Sequence, residues 1–194
     1  MTKTKNIKSR AVIRYTILLL VCWFVFDTPA WAIGEARYLV EQKTSGAMPL
    51  FGDGQISGVY VDAEDYPLVQ RASRDFIADL QKVGGPVVSL QSDSAQLKEF
   101  AVIIGTLGHS HLIDEWVRRG LINTRGLATW DGYLIELIEK PAPNLKRALV
   151  VVGGNKRGTA YGVYAVAQQM GISPWYYWAD VTPLKKKALF VHPK

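Results

Sequence analysis

Three stretches of this chain carry side chains of the kind that do acid–base, nucleophilic or anion-binding chemistry. Asp62, Glu64 and Asp65 crowd one turn. Glycoside cleavage needs two carboxylates facing each other at about 5–10 Å, one protonated and one ionised. Three acids in a single turn after a strand match turn and first-turn helix chemistry instead. Glu136 and Glu139 alternate out of an apolar strand, as a solvent face or sheet edge does. Gly108-His109-Ser110-His111-Leu112 sits between a strand and a helix, like a nucleophile elbow, but Leu112 occupies the fifth position, where that motif needs glycine. His109 and His111 could chelate a metal only with a third ligand; His192 is remote in sequence, and Ser110 suits a helix N-cap. Gly153-Gly154-Asn155-Lys156-Arg157-Gly158 lies where phosphate-binding loops lie, yet its spacing fits neither G-x-G-x-x-G nor the P-loop. Capping and close helix–sheet packing explain its glycines, while Lys156 and Arg157 are placed to hold a carboxylate, for instance from a partner domain. On these grounds no catalytic, cofactor-binding or metal-ligating residue is assigned, and no cofactor is expected.

A fourth stretch is aromatic. Trp175, Tyr176, Tyr177 and Trp178 fill four consecutive positions before Ala179 and Asp180. In an extended backbone Trp175 and Tyr177 would face one side, Tyr176 and Trp178 the other. Such rings either close a seam against a neighbouring domain or lie flat under a sugar ring, and the seam is the better reading of a large apolar patch.

The elements that would position these residues alternate between two periodicities. Val59 to Val61 reads as the first strong strand, with a shorter one near Met48 to Phe51. Pro67 opens a helix whose Leu68, Val69, Ala72, Phe76, Leu80 and Val83 share a face, and Gly84-Gly85 ends it. Val87 to Leu90 and Ala101 to Gly105 are further apolar strands. Leu112, Ile113, Trp116 and Val117 mark a second helix, closed by Gly120. Tyr133 to Ile138 and Ala148 to Val152 read as a hairpin. Val163, Val166, Ala167 and Met170 line a third helix that Gly171 caps and Pro174 stops, before a last strand at Ala188 to Val191. The interleaving predicts one α/β (α+β-like) domain: a mixed sheet with about three helices, laid on one face.

The N-terminus predicts export. Lys3, Lys5, Lys8, Arg10 and Arg14 precede an apolar run from Tyr15 to Phe26, and Ala30-Trp31-Ala32 offers a signal-peptidase site, giving cleavage after Ala32. A dozen or so apolar residues fall short of the roughly 20 that span a bilayer, so no stable membrane insertion is expected after cleavage. Removing residues 1–32 takes away five basic residues and one acid, leaving 18 basic against 16 acidic, so +6 falls to +2. The basic balance therefore gives no argument for a nucleic-acid partner. The sole cysteine, Cys22, leaves with the leader, so an exported form has no disulfide and depends on its core. The expected organisation is signal peptide 1–32, approach segment 33–55 and α/β domain 56–194.

Five stretches together carry a family resemblance: VYVDAEDYPLV from Val59, VIIGTLGHSHLID from Val102, RALVVVGGNKRG from Arg147, KRGTAYGVY from Lys156 and GISPWYYWADV from Gly171. The chain after its leader resembles the N-terminal region of glycoside hydrolase family 115, the xylan α-glucuronidases. It departs from the pattern at Tyr177, where tryptophan is expected, and at His111, where proline is. The resemblance implies a mixed-sheet domain like the one preceding the barrel of hexosaminidases. It also implies a parent enzyme, several times longer, that removes glucuronic or 4-O-methylglucuronic acid side chains from xylan in a catalytic barrel following this region. The chain by itself is then expected to be inactive and to pack on that barrel, in cis or as a separate chain, through Lys156, Arg157, Trp175, Tyr176, Tyr177, Trp178 and Asp180. The alternative expectation is a stand-alone carbohydrate-binding module that holds xylan on the Trp175–Trp178 run.

Overall fold

The computed structural model describes residues 37–173, 176–179 and 181–193. The leader, Pro174, Trp175, Asp180 and the side chains of Tyr177 and Trp178 lie outside the described residues. A five-stranded mixed sheet forms the centre, in the order β5 (Leu90–Gln91), β4 (Gly58–Val61), β6 (Glu99–Thr106), β8 (Leu145–Gly153), β7 (Tyr133–Ala142). The first four run parallel, and β7 pairs antiparallel with β8 as the expected hairpin.

Alternation along these strands divides the interior in two. Val59, Val61, Val102, Ile104, Leu149 and Val151 point to one face, where helices α1 (Pro67–Lys82) and α3 (Lys156–Met170) cover them. Tyr60, Ala101, Ile103, Ala148, Val150 and Val152 point to the other, under helix α2 (His111–Arg118) and the 121–127 segment. The sheet is therefore covered on both faces, which corrects the expectation of helices on one face only. The physical reason is in the strand composition: β6 and β8 are apolar at successive positions, not alternate ones, and such strands bury both faces. Trp116, almost fully buried, anchors α2 to the second face.

Residues 37–56 do more than approach the domain. β1 (Leu39–Val40), β2 (Met48–Gly52) and β3 (Gln55–Ile56) join β9 (Leu189–Val191) in a small antiparallel sheet ordered β1-β9-β2-β3. Leu39, Met48, Leu50, Phe51, Leu189 and Val191 complete the α1/α3 core. Each fully buried side chain of this size contributes roughly 1.5–3 kcal/mol.

Local signals account for the helix ends. Pro67 opens α1, and Gly171 closes α3 at φ +100°, the left-handed conformation glycine adopts without strain. The expected strand at Val87 to Leu90 shrinks to Leu90–Gln91, and Val87 is exposed. Within the aromatic run, residues 176–179 are not extended but form a short helix, α4 (Tyr176–Ala179). The two-sided alternation of an extended strand therefore does not apply to it. Among the described residues no helix is long and apolar enough to cross a membrane.

Candidate functional site

Strand order reverses at β4: the chain leaves it through α1 to β5 on one side, and β6 lies on the other. Open α/β sheets bind ligands in the crevice beyond the strand ends at such a switch point. The 62–66 turn, the 107–110 loop and the start of α3 gather there, since they follow β4, β6 and β8, whereas Tyr176 of the aromatic run does not.

Their polar groups are already occupied. Asp65 is buried; its Oδ2 accepts from the Thr106 N–H at 2.7 Å and its Oδ1 from the Tyr66 N–H at 2.7 Å. Asp62, also buried, accepts from the N–H groups of His111 at 2.9 Å and Glu64 at 3.1 Å. The Tyr60 hydroxyl lies 3.5 Å from the Asp62 carboxylate, and burial, reinforced by that negative charge, pushes the phenol up to about 12. These two acids clamp the β6–α2 loop to the β4–α1 turn, a wider role than the local turn chemistry read from sequence.

Ser110 takes the N-cap position of α2 with extended backbone, but its Oγ makes no cap hydrogen bond. It is fully buried and faces β6, where a Cβ on Gly105 would come within 2.6 Å of the Ser110 Cβ. The expected serine cap is thus replaced by Asp62, which reaches the first helical N–H from another element. A nucleophilic role is excluded on the same geometry, because a fully buried hydroxyl meets no substrate. His109 Nε2 lies 2.7 Å from the Tyr66 hydroxyl, and His111 Nε2 lies 3.3 Å from Glu64 Oε2. The two imidazoles thus have different partners, and among the described residues no three His, Cys, Asp or Glu side chains converge as a metal site would require.

The 153–158 glycine loop also serves packing. A Cβ on Gly153 would meet the Thr159 nitrogen at 2.1 Å, on Gly154 the Leu127 carbonyl at 1.9 Å, and on Gly158 the Gly132 carbonyl at 2.4 Å. Asn155 Oδ1 accepts from the N–H groups of Arg157 and Gly158, each at 2.9 Å, so the amides that would cradle a phosphate are taken. Lys156 and Arg157 are both exposed at the start of α3. The Lys156 Nζ stands 5.5 Å from the Tyr66 ring centre, and an Arg157 NH2 lies 3.1 Å from Asp131 Oδ2 and 3.2 Å from the Tyr161 hydroxyl. The Tyr161 hydrogen bond, then Asp131, hold that guanidinium above its ordinary value. Of the aromatic run, Tyr176 is half-buried with Lys82 Nζ 4.5 Å from its ring centre, at the end of α1.

Two features escaped sequence reasoning. A groove of about 590 Å³ opens between α1 and α3, lined by Arg71, Asp75, Tyr161, Tyr164 and Gln168 among others. In it the Tyr164 hydroxyl donates to Asp75 Oδ2 at 3.2 Å, and burial, then that carboxylate, raise the phenol's pKa. The other feature is Trp130, 87% exposed in the 124–132 loop beside the Asp131–Arg157 pair. A lone tryptophan beside Asp131-Gly132 was the available signal.

Fold and edge together define a class: a three-layer α/β domain whose buried strand-end acids bind its own loops. Among solved structures the chain is similar to one described as a family GH115 4-O-methyl-α-glucuronidase, BtGH115A, with specificity for decorated arabinogalactans. The match has 28% sequence identity and a TM-score of 0.57, and covers 71% of this chain and 16% of that one. The chain thus spans a small part of that enzyme's length. A second structure, of CpGH84D, matches at 13% identity and a TM-score of 0.47 over 84% of this chain and 23% of that one, too slight a likeness to carry an argument. No protein-family model and no curated protein matches.

Proposed function

We propose that this chain is an accessory α/β domain from the N-terminal part of a family 115-like glycoside hydrolase, exported after loss of residues 1–32 and inactive alone. The observation that carries the reading is the 28% identity and TM-score of 0.57 with a GH115 glucuronidase over 71% of the chain. The strand-end carboxylates support the same division of labour, since Asp62 and Asp65 hold backbone and are not set across a cleft. Acid and base would lie in a barrel domain, in the same polypeptide or a separate one. Helix α3 supports such a neighbour: from Gly158 to Met170 it has no charged residue, and Tyr161 and Tyr164 stand exposed on its outer side. A free surface helix normally carries charge there.

The parent activity is release of glucuronic or 4-O-methylglucuronic acid side chains. Motif resemblance favours xylan as the backbone, whereas the matched enzyme is described as specific for decorated arabinogalactans. The test is to incubate the purified chain with glucuronoxylan and with uronate-decorated arabinogalactan, and to follow free uronic acid by anion-exchange chromatography. The expected result is none from the chain alone, and release when a family 115 barrel is added. Uronic acid released by the chain alone overturns the reading.

A further inference from the structure

The geometry points to strand addition at β7: an extended segment of another protein, with a basic residue between two apolar ones, pairs with Ile135 to Leu137 as a sixth strand of the central sheet. The inference goes beyond the accessory-domain reading and does not depend on it. A sheet edge presents unpaired N–H and C=O groups, and folds blunt such edges with short strands, charges, prolines or bulges. Among the described residues the other three edge strands, β5, β1 and β3, have two residues each. β7 is an edge strand of ten. Its far half is blunted: the register shifts between Glu139 and Ala142, Lys140 stands at φ +49°, and Pro141 follows. Its near half keeps unbroken register with β8 from Tyr133 to Glu139.

Along an antiparallel pair every second residue turns its backbone groups away from the partner. The Gly154 N–H donates to the Gly132 carbonyl at 3.0 Å, in step with the Tyr133–Gly153 register pair. Leu134 and Glu136 therefore bond towards β8, and Ile135 and Leu137 turn their N–H and C=O groups outward. Among the described residues no backbone hydrogen bond outside the β7–β8 ladder reaches either one. Both open into a groove of about 450 Å³. Val191 and His192 line it on the α1/α3 side, Asn123 and Arg125 on the α2 side, with β7 between them. Leu134, Ile135 and Leu137 are left half-buried there.

The surroundings select the occupant. Residues paired with Ile135 and Leu137 carry their side chains on the α1/α3 side, towards Val191, where apolar groups belong. The residue between them falls opposite Glu136, which is exposed and in no ion pair among the described residues. Opposite charges across a strand pair attract, and like charges repel. Arg125 stands on the lip and not on the strand, so Glu136 is the charge that a paired residue meets directly. A second copy of this chain fits less well. Pairing Ile135 of one copy with Leu137 of the other about a two-fold axis sets Glu136 against Glu136.

The test is amide hydrogen exchange, read by NMR on the purified chain, with a short peptide of alternating valine and threonine that has one lysine at its centre. Two comparison peptides are the same sequence with the valines beside the lysine N-methylated, and the same sequence with glutamate at the centre. In the free chain the Ile135 and Leu137 amides are expected to exchange fast while Leu134 and Glu136 are protected. The lysine peptide should slow Ile135 and Leu137 roughly tenfold once about nine-tenths of the chain is occupied. The N-methylated peptide keeps the side chains and loses the donors, so it should protect neither. Glu136→Lys is expected to weaken the lysine peptide roughly fivefold and to favour the glutamate peptide. No added protection, equal protection by the N-methylated peptide, or an unchanged preference in Glu136→Lys overturns the assignment. So does slow exchange of Ile135 and Leu137 in the dilute free chain, which would mean that the edge is already covered. Protection that grows with chain concentration alone overturns it too, because a second copy would then be the occupant. None of these outcomes bears on the hydrolysis assay, so the two readings fail separately.

Discussion

The 62–66 turn and the 124–132 loop lie at the same edge of the central sheet and use their polar and aromatic groups in opposite ways. In the turn, Asp62 and Asp65 are buried and each accepts two backbone N–H groups, so nothing of either acid is left for a ligand. In the loop, Leu127 is the core anchor and Trp130 is left outside. A crowd of acids in a sequence suggests chemistry, and a single tryptophan suggests packing. Here the fold consumes the acids and leaves the indole over. What remains after a chain's own backbone has been satisfied is a better guide to recognition than residue type.

The comparison can be broken most forcefully at the contact that joins the loop to the glycine run. Gly154→Ala places a methyl group 1.9 Å from the Leu127 carbonyl, a backbone atom with little room to yield. The expected cost is about 3 kcal/mol in urea unfolding, together with exchange broadening of the 124–132 amides. A variant as stable as the parent would show that the loop is not braced from below.

A smaller loss is expected on the other side. Asp65→Ala strands the Thr106 and Tyr66 N–H groups and should destabilise the domain by about 2 kcal/mol. Hydrogen exchange would localise the loss to the β6–α2 loop. A neutral effect would return Asp65 to the list of available carboxylates. The smallest change sharpens the contrast: Trp130→Ala should alter stability by no more than about 0.5 kcal/mol, measured in the same urea series. A large loss would mean that the fold uses the indole after all.

Much of the architecture was legible because its signals are local. Pro67, the Val69-Ala72-Phe76-Leu80 stripe and Gly171 mark helix ends and faces within a few residues of themselves. The hairpin was legible for the same reason, since β7 and β8 are consecutive apolar runs joined by a short turn. The small sheet was not. β1 and β3 have two residues each, too few for a period, and β1 and β2 pair with β9, more than a hundred residues away. Ser110 looked like a helix cap on spacing alone, and losing that role to Asp62 required β4 and β6 to be neighbours.

By itself, then, the sequence determined helices α1, α2 and α3, the hairpin and the mixed α/β class, because periodicity and terminal residues act over one or two turns of chain. Only the tertiary structure decided that Asp62 and Asp65 serve the backbone, that Gly153, Gly154 and Gly158 hold a neighbouring loop, and that Trp130 stands free. Each of those outcomes depends on which loops the strand order brings together, and contacts between segments tens of residues apart leave no mark in the spacing of either segment.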